Sequence, residues 1–285
     1  MQSPCVPGSG YHFSLFKEYL LHILSIKQFS VSCISLGVDE GYTYHMAEHF
    51  GEFLKALDAG VSSPAGRGRK EEGGPTVWRR NYAVGETIAE DEENKQAFLL
   101  ITSGWVASGK MLTNGSRIVL DFLLPGDVVG IGATEWAREV ITALSPVSTM
   151  EVPGAPLETL LKAPQTVSRA LIRNVARHNA RIAEHMVSIG RRGAVERTAH
   201  LLLELACRLE IKPDNGRVRF QCPLTQADLA DALGLTAVHV NRVLKELREN
   251  GLASFRNGIV EIRDVDRLTE LVDFDASYLT LRTVK

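Results

Sequence analysis

Between Pro223 and Gly251 the chain reads PLTQADLADALGLTAVHVNRVLKELRENG, and no other stretch restricts its fold so tightly. Thr225 suits a helix N-cap, and Asp228 three residues on supplies a short form of the capping box. Leu229, Ala230 and Leu233 then form an inward stripe. Gly234 sits just past the last periodic residue, where a left-handed C-cap favours a residue without a Cβ. Leu235 fills the turn and Thr236 caps a second helix, in which Val240, Val243, Leu244 and Leu247 recur at helical spacing. Asn241, Arg242, Lys245 and Arg248 lie on another face. One side packs and one basic side is presented, as in a helix that enters the DNA major groove. A generic helical hairpin satisfies the same periodicity.

The residues of this stretch resemble the winged helix-turn-helix of the Crp/Fnr family of bacterial transcription regulators. The match runs through Leu224-Thr225-Gln226, Leu229-Ala230, Leu233-Gly234-Leu235-Thr236, Val240, Asn241-Arg242-Val243-Leu244, and Leu247 to Gly251-Leu252, so caps, turn and core agree together. The resemblance implies an α+β chain: an antiparallel β-roll like a cyclic-nucleotide-binding domain, a long dimerisation helix, and a C-terminal winged helix-turn-helix. It implies a homodimer on a palindromic operator in double-stranded DNA, which meets RNA polymerase if it activates. The motif puts Thr236, Ala237, Val238, His239 and Arg242 at contact positions, with Asn241 in support. Arg242 is suited to guanine N7 and O6. Gln226, Lys245 and Arg256, with Thr225 beside them, complete the DNA-binding set; phosphate contacts position without specifying. Where the cyclic-AMP receptor protein has an arginine and a glutamate early in this helix, this chain has Ala237 and Val238, which implies a different operator.

Upstream, Pro164 precedes a stretch from Thr166 to about Ile189 that is free of proline and glycine, a helix signal. Leu171, Val175, His178, Ile182, His185 and Ile189 alternate four and three apart, which predicts a two-stranded coiled-coil seam. His178 and His185 read as polar positions at a partly wet seam, the alternative being a protonation switch. Gly190-Arg191-Arg192-Gly193 is expected to break the helix as a hinge, its arginines meeting phosphates or bridging domains. A helix resumes over Val195 to Leu209, expected to bury Ala199, Leu202, Leu203, Leu205 and Ala206 and to leave Glu196, Arg197, Glu204 and Arg208 outside. After a strand at Arg217 to Gln221 and the two helices, Ala253-Ser254-Phe255 and Ile259 to Ile262 flank Arg256-Asn257-Gly258, a tight hairpin suited to a wing. Asp266 to Val272 reads as a closing helix.

Farther upstream the period shortens. Ala97 to Ser103, Trp105 to Met111 and Arg117 to Leu124 are short runs bounded by glycines, which predicts a compact antiparallel roll. Asn114-Gly115 predicts a type I′ turn with positive φ at both residues. Gly85-Glu86, Ser103-Gly104, Asn114-Gly115 and Pro125-Gly126-Asp127 follow the landmark order of the family's cyclic-nucleotide-binding fold. In the family, a Gly-Glu-Leu segment and an Arg-Ser/Thr-Ala segment then cradle the phosphate. Here Val128-Val129-Gly130-Ile131-Gly132 replaces the first, and Arg138 is followed by Glu139, a carboxylate that competes with phosphate. The roll is therefore expected not to take cyclic AMP; an unknown ligand or a packing role is left open. Glu90 to Glu93 reads as a solvated loop.

Charge divides along the chain. Residues 1–163 carry 13 basic and 19 acidic residues, whereas residues 164–285 carry 19 and 15. A basic half suits the DNA-binding end. Cys5, Cys33, Cys207 and Cys222 are too scattered for a disulfide framework, a zinc site or an iron–sulfur cluster, so no cofactor is expected. No catalytic constellation, GxGxxG or P-loop argues for an enzyme. Tyr19 to Leu36 is interrupted by His22, Lys27 and Gln28, too polar for a membrane span, and no signal peptide is evident, so the cytoplasm is the expected location. The expected division is an extension and linker at 1–75, a roll at 76–163, a dimerisation helix at 164–192, a winged helix-turn-helix at 193–272 and a tail at 273–285. The extension, with helical segments at Phe13 to Leu36 and His45 to Leu57 and a basic cluster at Arg67, Arg69 and Lys70, is expected to be partly disordered. A downstream start such as Met46 is the alternative.

Overall fold

The structure, a computed structural model, describes residues 78–89, 98–129, 139–152 and 165–279. The expectations for residues 1–75, for Glu90 to Glu93 and for Gly130 to Arg138 lie outside those residues.

Eight short strands form the roll: β1 (Trp78–Tyr82), β2 (Thr87–Ala89), β3 (Phe98–Ser103), β4 (Val106–Met111), β5 (Arg117–Leu123), β6 (Val128–Val129), β7 (Val140–Ala143) and β8 (Val147–Val152). They pair antiparallel in two sheets, ordered β1-β8-β3-β6 and β2-β7-β4-β5. Ile88, Leu99, Ile101, Val106, Leu123, Ile141 and Val147 form their core. At Gly104, φ is +90° and a Cβ would stand 2.3 Å from the Pro146 carbonyl oxygen, so only glycine fits.

The Asn114-Gly115 turn differs from the type I′ expectation, because only Gly115 has positive φ. Gly115 N–H donates to Leu112 O at 2.9 Å and Leu112 N–H to Ser116 O at 2.8 Å. This is a three-residue loop ending on a left-handed glycine. Asn114 Oδ1 accepts from Ser116 N–H at 2.9 Å, a local bond that holds the wider loop.

Helix α1 (Gln165–Arg191) runs straight through Gly190, and the break comes at Arg192-Gly193, before α2 (Ala194–Arg208). The hinge is therefore shorter than expected. Nothing crowds Gly190, whereas Gly193 is extended and its N–H donates to the Glu196 carboxylate at 2.7 Å, fixing the start of α2. Arg192 does not reach outward; it pairs with Glu184 at 2.8 Å and donates to Ser188 Oγ at 2.9 Å, bracing the break.

The expected seam on α1 also needs correction. Leu171, Asn174, Arg181 and Ser188 are buried within this chain. His178 Nδ1 lies 2.9 Å from Asp121 Oδ2, and half-buried His185 packs by Ala232, so neither histidine belongs to an outward seam. Among the described residues of α1 the large apolar side chains left outside are Ile172, Val175, Met186 and Val187, with Ile172 63% and Met186 70% exposed. Val175 alone is common to the two stripes, with Ile182 half-buried.

The reason α1 turns this way is ionic. Asp121 on β5 is buried among Arg181 Nε at 2.7 Å, His178 Nδ1, and Arg208 Nη1 at 3.2 Å. Arg208 also donates to Asp127 at 2.9 Å and to the Phe122 carbonyl at 2.7 Å. Glu204 and Arg208, expected outside α2, are thus turned inward; Glu204 accepts from Tyr278 Oη at 2.7 Å. Amphipathic spacing misplaces them because each has a long-range partner.

The C-terminal unit adds β9 (Val218–Gln221), α3 (Gln226–Leu233), α4 (Ala237–Glu249), β10 (Ala253–Arg256), β11 (Ile259–Ile262), α5 (Val265–Val272) and a 3₁₀ turn (Ala276–Leu279). Its sheet is ordered β10-β11-β9. Leu202 and Leu205 of α2 pack with Leu229, Leu233, Leu247, Ile262 and Leu268, and Val119, Phe122 and Leu124 join the same apolar cluster from the roll.

Burial alone would raise the Asp121 carboxyl, but Arg181, Arg208 and His178 outweigh it and hold it well below the usual carboxylate range. Its stabilisation is therefore complete above an unfolded pKa of about 4 and is lost only as acid drives the pH down through the lower folded value. Asp121→Asn takes the shared carboxylate from two buried arginines, leaving them Asp127 as a common anion, and is expected to cost about 3 kcal/mol in urea unfolding at neutral pH, a difference that shrinks below about pH 4.

Candidate nucleic-acid interface

The surface is built from the start of α3, the outer face of α4 and the β10–β11 hairpin. At the start of α3 the capping box is complete. Thr225 Oγ1 accepts from Asp228 N–H at 3.1 Å and donates to Asp228 Oδ2 at 2.6 Å, while Thr225 N–H donates to the same oxygen at 2.9 Å. Burial would raise the Asp228 carboxyl, but the Thr225 bonds and the Arg117 guanidinium hold it below its ordinary value. Arg117, the first residue of β5, bridges Asp228 and Asp231, the latter at 2.8 Å, so the roll grips α3 directly.

Gly234 takes the left-handed conformation with φ 60°, and Leu235 N–H bonds back to Ala230 O at 3.0 Å. Thr236 is extended and accepts from His239 N–H at 3.2 Å, which starts α4. Val240, Val243, Leu244 and Leu247 point into the core, so the opposite face of α4 must point out. Ala237, Val238, His239, Asn241, Arg242 and Lys245 are all exposed, as are Thr225, Gln226, Thr236 and Arg256. The hydroxyls of Thr225 and Thr236 are already engaged in their caps.

An open cleft runs between α3, α4 and the hairpin, and Gln226, Asn241, Lys245, Arg248, Arg256 and Asn257 line it. Four of the expected site residues therefore meet there. Thr236 to His239, at the N-terminal end of α4, and Arg242, midway along it, do not line the cleft. Arg248 and Asn257 were not among the expected contacts. Arg248 follows Lys245 by three residues on the polar face, a signal the sequence did contain. Asn257 enters through the hairpin, where φ is 51° at Asn257 and 72° at Gly258, a type I′ turn. Lys245 lies 3.6 Å from Glu249 with both side chains well exposed, a pair worth about 0.5 kcal/mol and readily exchanged for another anion.

Among the described residues no group of His, Cys, Asp and Glu side chains is placed to hold a metal ion. No helix among them is long and apolar enough to cross a membrane.

Residues 196–271 match the model of the Crp-like helix-turn-helix domain, and residues 79–163 match the cyclic nucleotide-binding domain. The nitrogen fixation regulation protein FixK of Bradyrhizobium diazoefficiens is 28% identical over 194 residues, 68% of this chain and 81% of the relative. The FixK protein of Azorhizobium caulinodans is 30% identical over 200 residues, 70% and 79% of the two chains. The solved structure of FixK2 from Bradyrhizobium japonicum superposes with a TM-score of 0.61 at 30% identity, covering 68% of this chain and 96% of that one.

Proposed function

The chain belongs to the Crp/Fnr family of DNA-binding transcriptional regulators, and from that premise we propose that it works as a homodimer on a palindromic operator. The observation that carries this reading is the exposed polar face of α4, with Arg242 at its middle, beside a cation-lined cleft. Arg242 makes the bidentate bond to guanine, and His239 and Asn241 donate beside it. Gln226, Lys245, Arg248 and Arg256 meet phosphates. Two copies pair along Ile172, Val175, Met186 and Val187 of α1, and their reading helices enter successive major grooves about 34 Å apart. We assign residues 76–163 to sensing, 164–192 to pairing, 193–272 to DNA and 273–285 to a tail. The protein acts in the cytoplasm, and as an activator it would meet RNA polymerase.

The effector is not a cyclic nucleotide in this reading, because no Gly-Glu pair follows Gly126-Asp127 and Glu139 follows Arg138. Glu139 is besides engaged with Ser108 Oγ at 3.0 Å.

Three outcomes test these assignments. Arg242→Ala should abolish preference for the operator in gel shifts while leaving salt-sensitive binding to any duplex; unchanged specificity would sink the assignment. Met186→Asp should shift sedimentation equilibrium from dimer toward monomer, and a variant that stays fully dimeric would place the seam elsewhere. Isothermal titration with cyclic AMP or cyclic GMP should show no micromolar binding.

A further inference from the structure

Val238 is 74% exposed, more than any other large hydrophobic residue on the described surface. At 100° per residue, Val238, Asn241, Arg242 and Lys245 share one face of α4, with Val238 about half a turn from the stripe formed by Val240, Val243, Leu244 and Leu247. It therefore stands at the centre of the outward face, in the first turn of the helix. Its neighbours Ala237 and His239 are exposed too, and no carboxylate, lysine or arginine lies in that turn. Among the described residues nothing covers this β-branched side chain, and no hydrogen bond can be made by it.

We infer that Val238 is a specificity-determining residue that packs on the C5-methyl group of a thymine in each half-site. The inference rests on α4 being the helix that enters the major groove. There thymine is the one base that presents a methyl group, so an apolar tip distinguishes it. Position follows from pitch. Four residues of α-helix span about 6 Å, and bases rise about 3.4 Å per step, so the thymine lies within two base steps of the guanine met by Arg242. With two subunits the same thymine recurs at the symmetric position.

The test uses the full-length protein and an operator obtained by selection from random duplexes. Each thymine is replaced in turn by deoxyuridine, which lacks only the C5-methyl group, and affinity is read by fluorescence anisotropy. The wild type should lose about fourfold per half-site at one thymine within two steps of the Arg242-dependent guanine, the scale of one buried methyl group. Val238→Ala, an exposed change that leaves the core intact, should bind the thymine and deoxyuridine duplexes equally. The inference is overturned if no deoxyuridine weakens the wild type, or if Val238→Ala keeps the same discrimination. Selection that yields no preferred sequence overturns the reading of α4 itself, a separate result.

Discussion

A carboxylate buried in the middle of a β-strand dictates how this molecule holds together. Taking ions out of water costs several kcal/mol each, so Asp121 is tolerable only where cations meet it. Those cations come from two other elements, Arg181 on α1 and Arg208 on α2, and His178 Nδ1 of α1 lies against the same carboxylate. The cluster yields little net stability for its size, because desolvation opposes the attraction. It does restrict the arrangement: any rotation of α1 or α2 against β5 leaves a charge buried alone. The same strand carries Arg117 at its start, gripping Asp228 and Asp231 of α3, and sends Val119 and Phe122, with Leu124 just past its end, into the apolar cluster of the C-terminal unit. One strand thus fixes where the reading head sits relative to the exposed stripe on α1. If α1 pairs two copies, that placement sets the distance between the two copies of α4.

Local chemistry was legible in the sequence, and long-range chemistry was not. Thr225, Gly234 and Thr236 form the caps and turn their residue types require, since each bond closes within five residues. The side chains misplaced on α1 and α2 involve partners far along the chain. On α1 two stripes share the three-four alternation, one through Leu171, His178 and His185 and the other through Ile172 and Met186. Periodicity alone does not say which faces the chain's own roll; Asp121, remote in sequence, decides it. Glu204 and Arg208 look solvent-facing by type, yet Tyr278 and Asp127 satisfy them inside. The two Asn-Gly pairs part company for a local reason. Asn257-Gly258 closes a two-residue wing turn, while Asn114-Gly115 sits in a longer loop shaped by Asn114 and Ser116.

The two contacts of β5 differ in a way that bears on signalling. Breaking a buried ion pair costs about 3–5 kcal/mol, whereas an allosteric effector typically couples sites by about 1–3 kcal/mol. An effector of that size does not prise open Asp121 from Arg181 and Arg208. The Arg117 grip is a better match, since Arg117 and Asp231 retain partial access to water and part at lower cost. The hinge at Arg192-Gly193 is braced by Glu184 on one side and Glu196 on the other, so the head does not swing freely there. If the roll receives a signal and α1 pairs two copies, as proposed above, these contacts leave two routes for it: along β5 to its Arg117 end, or between the copies along α1, with the Asp121 cluster as the fixed point of either.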